Sequence, residues 1–362
     1  MNTVEAELNK NGINVLCPLN EKITNQIANY VADTLSSKFP DLKLNYKTLY
    51  MSISKLNMYL ADMPTSTAGA SYYYKNASIY FRNGMKLGEM KKVAVHECIH
   101  HFQEIKDAKG TLHRLGLCSY LGNRAYGNAL NEAAVQLMST YATGEQHDTV
   151  TYYGISLPTD SPSYYPLICN LIKQIGYITG FSSLFESTFF SNDVFFDKFK
   201  KAIGENNAFK VQSNFERILS LEQRINKLSN KVKSEDLSYR KFKKCTDLIE
   251  KSKTNIQKTF LSTQNIIIKA FFDEKIKQVS NVNHVEQYRK YLYSFINLIG
   301  TTPSYTFFND YYINKMATLD QMYEGYNGNT SLTVVKKSKL SMILQAIRNL
   351  MFGKSGEYEN EK

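Results

Sequence analysis

The sequence predicts an α+β protein with helices and a small mixed sheet in its first half and mostly helices in its second half. Three patterns support this prediction. Apolar residues recur every four positions from Ile23 to Leu35, which is the period of one helix face. Two runs of β-prone residues lie within 70–81. Beyond about residue 206 the chain becomes rich in Lys, Asn, Ser and Gln and again shows helical periodicity.

The first third of the chain is predicted to form a helix, strands, a hairpin and a second helix. Residues 18–38 predict a packing helix. Residues 42–60 mix Tyr, Ile, Leu and Met with polar residues and predict strands. Residues 70–81 predict a short hairpin or one bent strand, and a helix follows over about residues 86–106.

A second helix is predicted near residues 129–141, after a connector interrupted by glycines. The aromatic and proline-containing stretch 151–163 predicts a loop wall, and 164–181 predicts another helix. Further helical patterns cover 256–299 and 338–352. These features favour a division into two parts, residues 1–200 and residues 201–362.

Two heptads of apolar residues run from Ile218 to Val232 with alternating spacings of three and four. Two heptads are fewer than the three or four that usually mark a coiled coil. The pattern therefore favours an intramolecular helical hairpin or bundle, with a coiled-coil oligomer as the alternative.

Composition excludes whole classes of protein. Of 362 residues, 43% are hydrophobic and only 25 are Gly or Pro, so collagen-like and wholly disordered chains are excluded. The five cysteines are odd in number, widely spaced and without a CxxC pair, which favours a reducing compartment over a disulfide framework. The first residues lack a signal peptide pattern, so the expected location is the cytoplasm.

The formal charge of +11 could attract nucleic acid, an anionic membrane or an acidic peptide. The basic residues are scattered and form no Arg-rich or zinc-knuckle motif, so no nucleic-acid partner is expected. The most apolar windows are interrupted before the length of a bilayer span, so no transmembrane segment is expected. A short basic amphipathic pattern runs from Ser338 to Lys354. Such patterns can bind a membrane surface, so peripheral membrane contact is a minor alternative.

The most informative segment is His96-Glu97-Cys98-Ile99-His100, an HExxH motif inside a predicted helix. Residues four apart share a helix face, so the two imidazoles can bind one zinc ion. Glu97, one residue after His96, points away from the helix face that the two histidines share, and its carboxylate can accept a proton from a metal-activated water. Cys98 faces neither histidine and is expected to be a small buried residue.

A catalytic zinc site needs a third protein ligand and one open position. His113 does not fit the HExxHxxGxxH arrangement. That motif needs a glycine after its second histidine to turn the chain, and this sequence has Phe102 and Gln103 there. His101 points about 140° away from His96 on a helix. Glu132, on the second predicted helix, completes a His₂Glu set.

HECIH followed by ALNEAAVQ resembles the gluzincin metallopeptidases, the thermolysin-like broad group, over roughly residues 70–142. The resemblance implies a zincin-like catalytic unit in which His96, His100 and Glu132 bind Zn²⁺. It also implies that Glu97 activates water for peptide hydrolysis, with a peptide or protein as substrate. An edge strand, for which 70–81 is the candidate, would bind extended substrate.

The chain departs from this group in two places. There are 31 residues between His100 and Glu132, so the connector is expected to form an added loop or helix. The group often carries an aspartate four residues after the ligand glutamate to orient a zinc histidine, whereas this chain has Gln136, which could accept the same N–H. The sequence does not identify the residue that would stabilise the oxyanion. Six aromatic residues are candidates, and none has the spacing found in the resembled group: Tyr126, His147, Tyr152, Tyr153, Tyr164 and Tyr165.

These observations predict a zinc-dependent metallopeptidase. Two alternatives keep the same fold. One is a catalytically silent protein that acts through partner binding, which the intact Glu97 disfavours. The other is a regulatory protease that cuts a single partner, so that generic substrates appear inert.

Overall fold

The fold is described from a computed structural model that covers residues 3–64, 69–122, 124–144, 148–234, 237–299 and 306–327. It is mixed α and β, with three small sheets in the first half and long helices in the second, in agreement with the predicted α+β class. The described helices of the second half end with α12, so the predicted helix over 338–352 and the basic pattern from Ser338 to Lys354 lie outside the described residues.

The first sheet positions the N-terminal half of the chain. Helices α1 (Thr3–Lys10) and α2 (Glu21–Lys38) flank strand β1, and the four strands are β1 (Asn14–Pro18), β2 (Asn57–Asp62), β3 (Ala70–Tyr73) and β4 (Ser78–Arg82). Their order is β1-β2-β4-β3; β2 and β4 are parallel, and the other two pairs are antiparallel. The hairpin predicted over 70–81 is thus confirmed, and β3 lies at the edge of the sheet.

The prediction of strands over 42–60 is wrong for its first part. Helix α3 (Tyr46–Ile53) precedes β2, after a 3₁₀ turn at Pro40–Leu42. The Asn45 side chain accepts the backbone N–H of Thr48 at 3.0 Å, which caps the helix. Leu49 and Ile53 are four residues apart and buried, so their spacing is helical rather than alternating.

Two helices and a meander follow the first sheet. They are α4 (Leu87–Phe102), β5 (Glu104–Lys106), β6 (Leu112–Leu115), β7 (Cys118–Leu121), β8 (Arg124–Tyr126) and α5 (Asn128–Thr143). The predicted helices over 86–106 and 129–141 are present, but α4 ends at Phe102 because the chain enters β5. The connector between them is neither a loop nor a helix; it is a four-stranded antiparallel sheet.

The stretch predicted as a loop wall at 151–163 contains a hairpin. Strands β9 (Asp148–Tyr152) and β10 (Ile155–Thr159) pair around Tyr153 and Gly154, both of which have positive φ angles. Positive φ at both turn residues matches the twist of a tight hairpin. Tyr at the first of these positions is the reason that the turn was not recognised in the sequence, since Asn or Asp usually stands there.

The second half is built from helices. They are α6 (Pro166–Thr179), α7 (Phe181–Phe190), α8 (Val194–Ile203), α9 (Glu205–Ser234), α10 (Tyr239–Ile276), α11 (Val282–Ile299) and α12 (Thr306–Tyr326). Helices α9 and α10 pack along each other, with Ile218 and Ile225 buried, so the heptads belong to an intramolecular helical hairpin. None of the helices in these described ranges is long and apolar enough to span a membrane.

One cluster of buried apolar side chains runs from Ile27 to Leu319 and includes residues of both predicted parts. Helix α5 lies within this core and packs against α2, α4, α6, α7 and α9. Glu216 of α9 accepts the backbone N–H of Ala129 at 2.9 Å, where α5 begins. The second half therefore helps to hold α5 in place. The division at residue 200 stays a prediction.

Candidate metal centre

His96 and His100 lie one turn apart on α4 and present their rings to the same side. The Nε2 atoms of the two rings are 3.1 Å apart, and the ring centroids are 4.8 Å apart. Both side chains are largely shielded from solvent, with relative exposures of 13% and 8%. The helical spacing of the motif thus produces the close imidazole pair that the sequence predicts.

Helix α5 brings Glu132 to this pair. Its Oε2 is 3.6 Å from Nε2 of His96, and its Oε1 is 3.6 Å from Nε2 of His100. One ligand atom from each of the three residues lies within 4.8 Å of the others. The structure therefore brings together the three residues predicted from the sequence, across 31 intervening residues.

The separations suit a small divalent cation. Ligand atoms that surround zinc tetrahedrally at ~2.0–2.2 Å lie about 3.4 Å from one another. The observed separations of 3.1 and 3.6 Å lie on either side of this value. Two imidazoles and one carboxylate also supply the mixed nitrogen and oxygen set that such ions accept. The His96, His100 and Glu132 group could therefore hold a metal ion.

The other nitrogen of each ring faces a side-chain amide oxygen. His96 Nδ1 is 2.9 Å from Oε1 of Gln136, and His100 Nδ1 is 3.1 Å from Oε1 of Gln103. An amide oxygen only accepts, so each Nδ1 carries a proton, and Nε2 is the nitrogen of each ring that faces Glu132. The predicted contact of Gln136 with a histidine of the motif is present.

Both amides are held in this orientation. The Gln136 amide nitrogen donates to Oγ of Ser161 at 3.0 Å. The Gln103 amide nitrogen donates to the Thr188 carbonyl at 2.6 Å and to Oδ1 of Asn131 at 3.1 Å. These donations leave the oxygen of each glutamine turned towards its histidine. The tautomer of both rings is therefore determined by residues outside the motif.

Asn131, the residue before Glu132, has a role that the resemblance does not assign. Its Oδ1 also accepts the backbone N–H of Leu117 at 2.9 Å, so it joins α5 to the turn between β6 and β7. Gly116 in that turn has φ +57, and a Cβ there would lie 2.1 Å from Oδ1 of Asn131. Only glycine allows the backbone to pass so close to the amide pair.

Gln103 was missed in the sequence, where it counted only as a departure from a glycine-containing motif. It stands three residues after His100 at the end of α4. Residues three apart on a helix are neighbours, so an amide at this position could have been recognised as a partner of the histidine.

Glu97 is buried with an exposure of 6%, and its negative charge helps to raise the pKa of His100. Its Oε2 accepts the backbone N–H of Tyr72 at 2.7 Å. Tyr72 belongs to the edge strand β3, so the carboxylate is held between helix and strand. The Tyr72 hydroxyl donates to Oε1 of Glu104 at 2.6 Å and lies 3.1 Å from Nδ1 of His101, which fixes the strand over α4.

Electrostatics couples Glu132 to His100. Burial alone would lower the pKa of His100, but the Glu132 carboxylate outweighs it and raises this pKa to about 9. Burial would raise the pKa of Glu132, but His100 and then His96 lower it below the ordinary value. In the absence of metal these residues form an ion pair. A cation must displace the proton of His100, so metal binding weakens as the pH falls.

The remaining candidates from the sequence lie elsewhere or stay untested. His113 is exposed and pairs with Asp107 at 3.3 Å, and His101 contacts Oγ of Ser52 at 3.0 Å. Cys98 is fully buried, as predicted, and burial raises the pKa of its thiol. His147 lies outside the described residues.

Among the five tyrosines that the sequence offered as oxyanion stabilisers, Tyr165 is the one whose hydroxyl is under the influence of both Glu132 and Glu97. The negative charge of Glu132 and then burial raise the pKa of its hydroxyl well above the ordinary value, and Glu97 adds to this. The hydroxyl therefore stays protonated and can donate. Tyr165 also has φ +51, a left-handed conformation that is rare for a residue with a side chain and recurs at functional sites.

The Gln136 contact leads to a first testable prediction. The Gln136→Leu substitution removes the acceptor for the His96 N–H while it keeps a side chain of similar size. We expect zinc affinity to fall by about 10- to 100-fold, the usual cost of losing an outer partner of a metal-binding histidine. Competition with a zinc chelator measures this, and Gln223→Leu on the exposed face of α9 is the control. Equal affinities in the parent and Gln136→Leu would contradict the prediction.

Comparison of the chain with family models, with curated proteins and with solved structures finds no match.

Proposed function

We propose that the protein is a zinc-dependent metallopeptidase and that residues 1–200 form a zincin-like catalytic unit. The single observation that carries the proposal is the convergence of His96, His100 and Glu132, with the buried carboxylate of Glu97 next to them. The arrangement of β3 at a sheet edge above α4, with α5 facing α4, supports it. The sequence resemblance to gluzincins points to the same function.

The three ligand residues fit zinc in number, donor type and separation. When bound, zinc supplies a Lewis acid that lowers the pKa of water to about 7 and polarises a carbonyl group. The Nδ1 contacts of His96 and His100 keep both rings in the tautomer that metal binding requires. Glu132 contributes the negative charge that offsets the charge of the cation.

Glu97 serves as the general base in this proposal. A carboxylate next to the metal ligands can accept a proton from the attacking water and return it to the leaving amine. The Tyr72 N–H holds one oxygen of Glu97 at 2.7 Å, which leaves the other oxygen for the water. The neighbouring edge strand offers backbone groups to an extended peptide.

Tyr165 is proposed as the donor that stabilises the developing oxyanion. Its hydroxyl is protonated and lies in the field of Glu132 and Glu97. We expect Tyr165→Phe to lower kcat by about 100-fold, as the loss of one such donor does, with zinc content unchanged. Peptide hydrolysis with measured zinc per chain checks this. Tyr141→Phe on the exposed face of α5 is the control, and parent-like kcat in Tyr165→Phe would exclude the role.

The proposed function is tested by zinc analysis and peptide hydrolysis on the full chain. We expect about one zinc per chain, hydrolysis of members of a peptide library, loss of hydrolysis after chelation and recovery after zinc is returned. Zinc binding without hydrolysis of any peptide would favour the silent alternative. A single cleaved partner among cellular proteins would favour the regulatory protease.

A further inference from the structure

The closed end of the helical hairpin formed by α9 and α10 extends beyond the packed core. In α9 no described side chain after Ile225 is buried, and in α10 none is buried before Cys245. The last residues of α9, 226–234, reach roughly 13 Å past Ile225 at about 1.5 Å per residue. We define residues 226–233 and 237–244 as the hairpin tip. Its side chains are available to a partner.

The hairpin tip is strongly basic. The stretch 226–245 contains seven basic and two acidic residues, so it carries a net charge of +5 out of +11 for the whole chain. The basic side chains of the tip are all exposed: Lys227, Lys231, Lys233, Arg240, Lys241, Lys243 and Lys244. They form no motif in the sequence, but the hairpin brings the end of α9 next to the start of α10. The fold therefore concentrates positive charge at one protruding end.

Two large aromatic side chains are exposed at the same end. Tyr239 is 79% exposed, more than any other large apolar side chain in the described ranges, and Phe242 is 45% exposed. They are three residues apart in the first turn of α10, so they lie on the same side of this helix. Exposed aromatic rings next to Lys and Arg are typical of helices that bind the membrane interface.

An anionic lipid surface complements both features of the tip. Clusters of four to eight basic residues are attracted to anionic lipids, and aromatic rings enter the boundary between headgroups and acyl chains. A narrow protruding end can touch a flat surface, whereas proteins that bind single-stranded nucleic acid usually follow its backbone with a basic groove. Only one of the seven basic residues is Arg, the residue that most often reads bases. These observations favour a membrane over nucleic acid.

We propose that the hairpin tip docks the chain on a membrane surface that contains anionic lipids. Tyr239 and Phe242 enter the headgroup boundary, and the basic side chains contact the lipid headgroups. This docking goes beyond the proposed peptidase function and does not depend on it. Glu216, which holds the start of α5, lies 18 residues before the end of α9, roughly 27 Å along the helix. The start of α5 therefore lies away from the docked end.

Sedimentation of the full chain with sucrose-loaded vesicles tests the proposal. The vesicles contain either phosphatidylcholine alone or phosphatidylcholine with about one third phosphatidylserine. The parent should bind the anionic vesicles at least about tenfold more strongly than the neutral ones at ~0.05 M salt, and most of this preference should be lost at ~0.5 M salt. Equal binding to both kinds of vesicle would overturn the proposal.

A charge variant locates the contact. With Lys241→Gln, Lys243→Gln and Lys244→Gln combined, the partition coefficient on anionic vesicles should fall by about 100-fold, since each basic residue near such a surface contributes about fivefold. Gln favours a helix about as well as Lys, so circular dichroism should match that of the parent. Binding at the parent level would place the contact elsewhere, including the segment from Ser338 to Lys354, and would overturn the proposal.

The matched control removes the same net charge outside the hairpin. It combines Lys22→Gln, Lys47→Gln and Lys55→Gln, three exposed lysines in the first part of the chain. Its partition coefficient should stay within about twofold of the parent value, because charges beyond a Debye length of the lipid surface are screened. Equal losses in the two triple variants would mean that overall charge drives binding, and the tip would then have no special role.

The aromatic contribution and the competing partner are tested separately. Phe242→Gln should lower the partition coefficient by about tenfold, whereas Phe209→Gln, at a similarly exposed residue of α9 outside the tip, should not. Parent-like binding by Phe242→Gln would exclude insertion of the ring. A single-stranded oligonucleotide at equal phosphate concentration should leave vesicle binding within about twofold of its value without competitor. Displacement of the vesicles would show that the tip prefers nucleic acid and would overturn the proposal.

Discussion

Replacing Glu97 with Gln is expected to abolish peptide hydrolysis and to leave zinc in place. Gln cannot accept a proton, so the water loses its base and the leaving amine loses its acid. General acid and base groups contribute about 10²- to 10⁴-fold to rates. We therefore expect kcat to fall at least ~10³-fold, since Glu97 would act in both steps.

The structure explains why this substitution should not disturb the fold. Among the described residues, the hydrogen bond that Glu97 makes is the one it accepts from the Tyr72 N–H at 2.7 Å. The amide oxygen of Gln can accept the same bond. Glu97 does not belong to the group of residues that could hold the metal, so zinc per chain should stay at the parent value.

The matched control is Glu89→Gln on the same helix. Glu89 accepts the Lys86 N–H at 2.8 Å where α4 begins, and Gln fills this capping role as well. Zinc content and kcat should both stay at parent values in this control. Turnover by Glu97→Gln at more than about a tenth of the parent rate would remove Glu97 from the mechanism.

The close pair of histidines could be predicted because it follows from one helix. Spacing of four residues dictates a common face, and this holds whatever surrounds α4. Glu132 could be proposed from the need for a third ligand, its place on the second predicted helix and the resemblance to a known pattern. Its approach to the histidines could not be derived, because this depends on how α4 and α5 pack across a 31-residue connector. The connector itself was wrongly expected to be a loop or helix. Its short strands pair with one another and show little periodicity of their own.

The parts of the site that escaped prediction depend on distant contacts. Gln103 acts through its position at the end of α4, and its orientation is set by Asn131 and the Thr188 carbonyl. Whether a polar side chain on a helix is buried against such partners or solvated cannot be told until the packing is known.

Replacing Glu132 with Ala is expected to remove the metal. The carboxylate is the negatively charged member of the group and lies 3.6 Å from Nε2 of each histidine. Loss of a direct ligand should cost more than the 10- to 100-fold loss seen for outer partners, so zinc affinity should fall by more than about 100-fold. Hydrolysis should be lost with it, and added zinc should restore only part of it.

This loss of metal would report on coordination and not on folding, because alanine is the residue most favourable to a helix and position 132 lies within α5. Far-ultraviolet circular dichroism should therefore match that of the parent. Glu132→Asp serves as the graded control: it keeps the charge on a shorter side chain and should retain an intermediate amount of zinc after dialysis. If Glu132→Ala kept zinc as tightly as the parent, Glu132 would not be a ligand. The two histidines would then need a different third partner, and the argument from the convergence of α4 and α5 would fail.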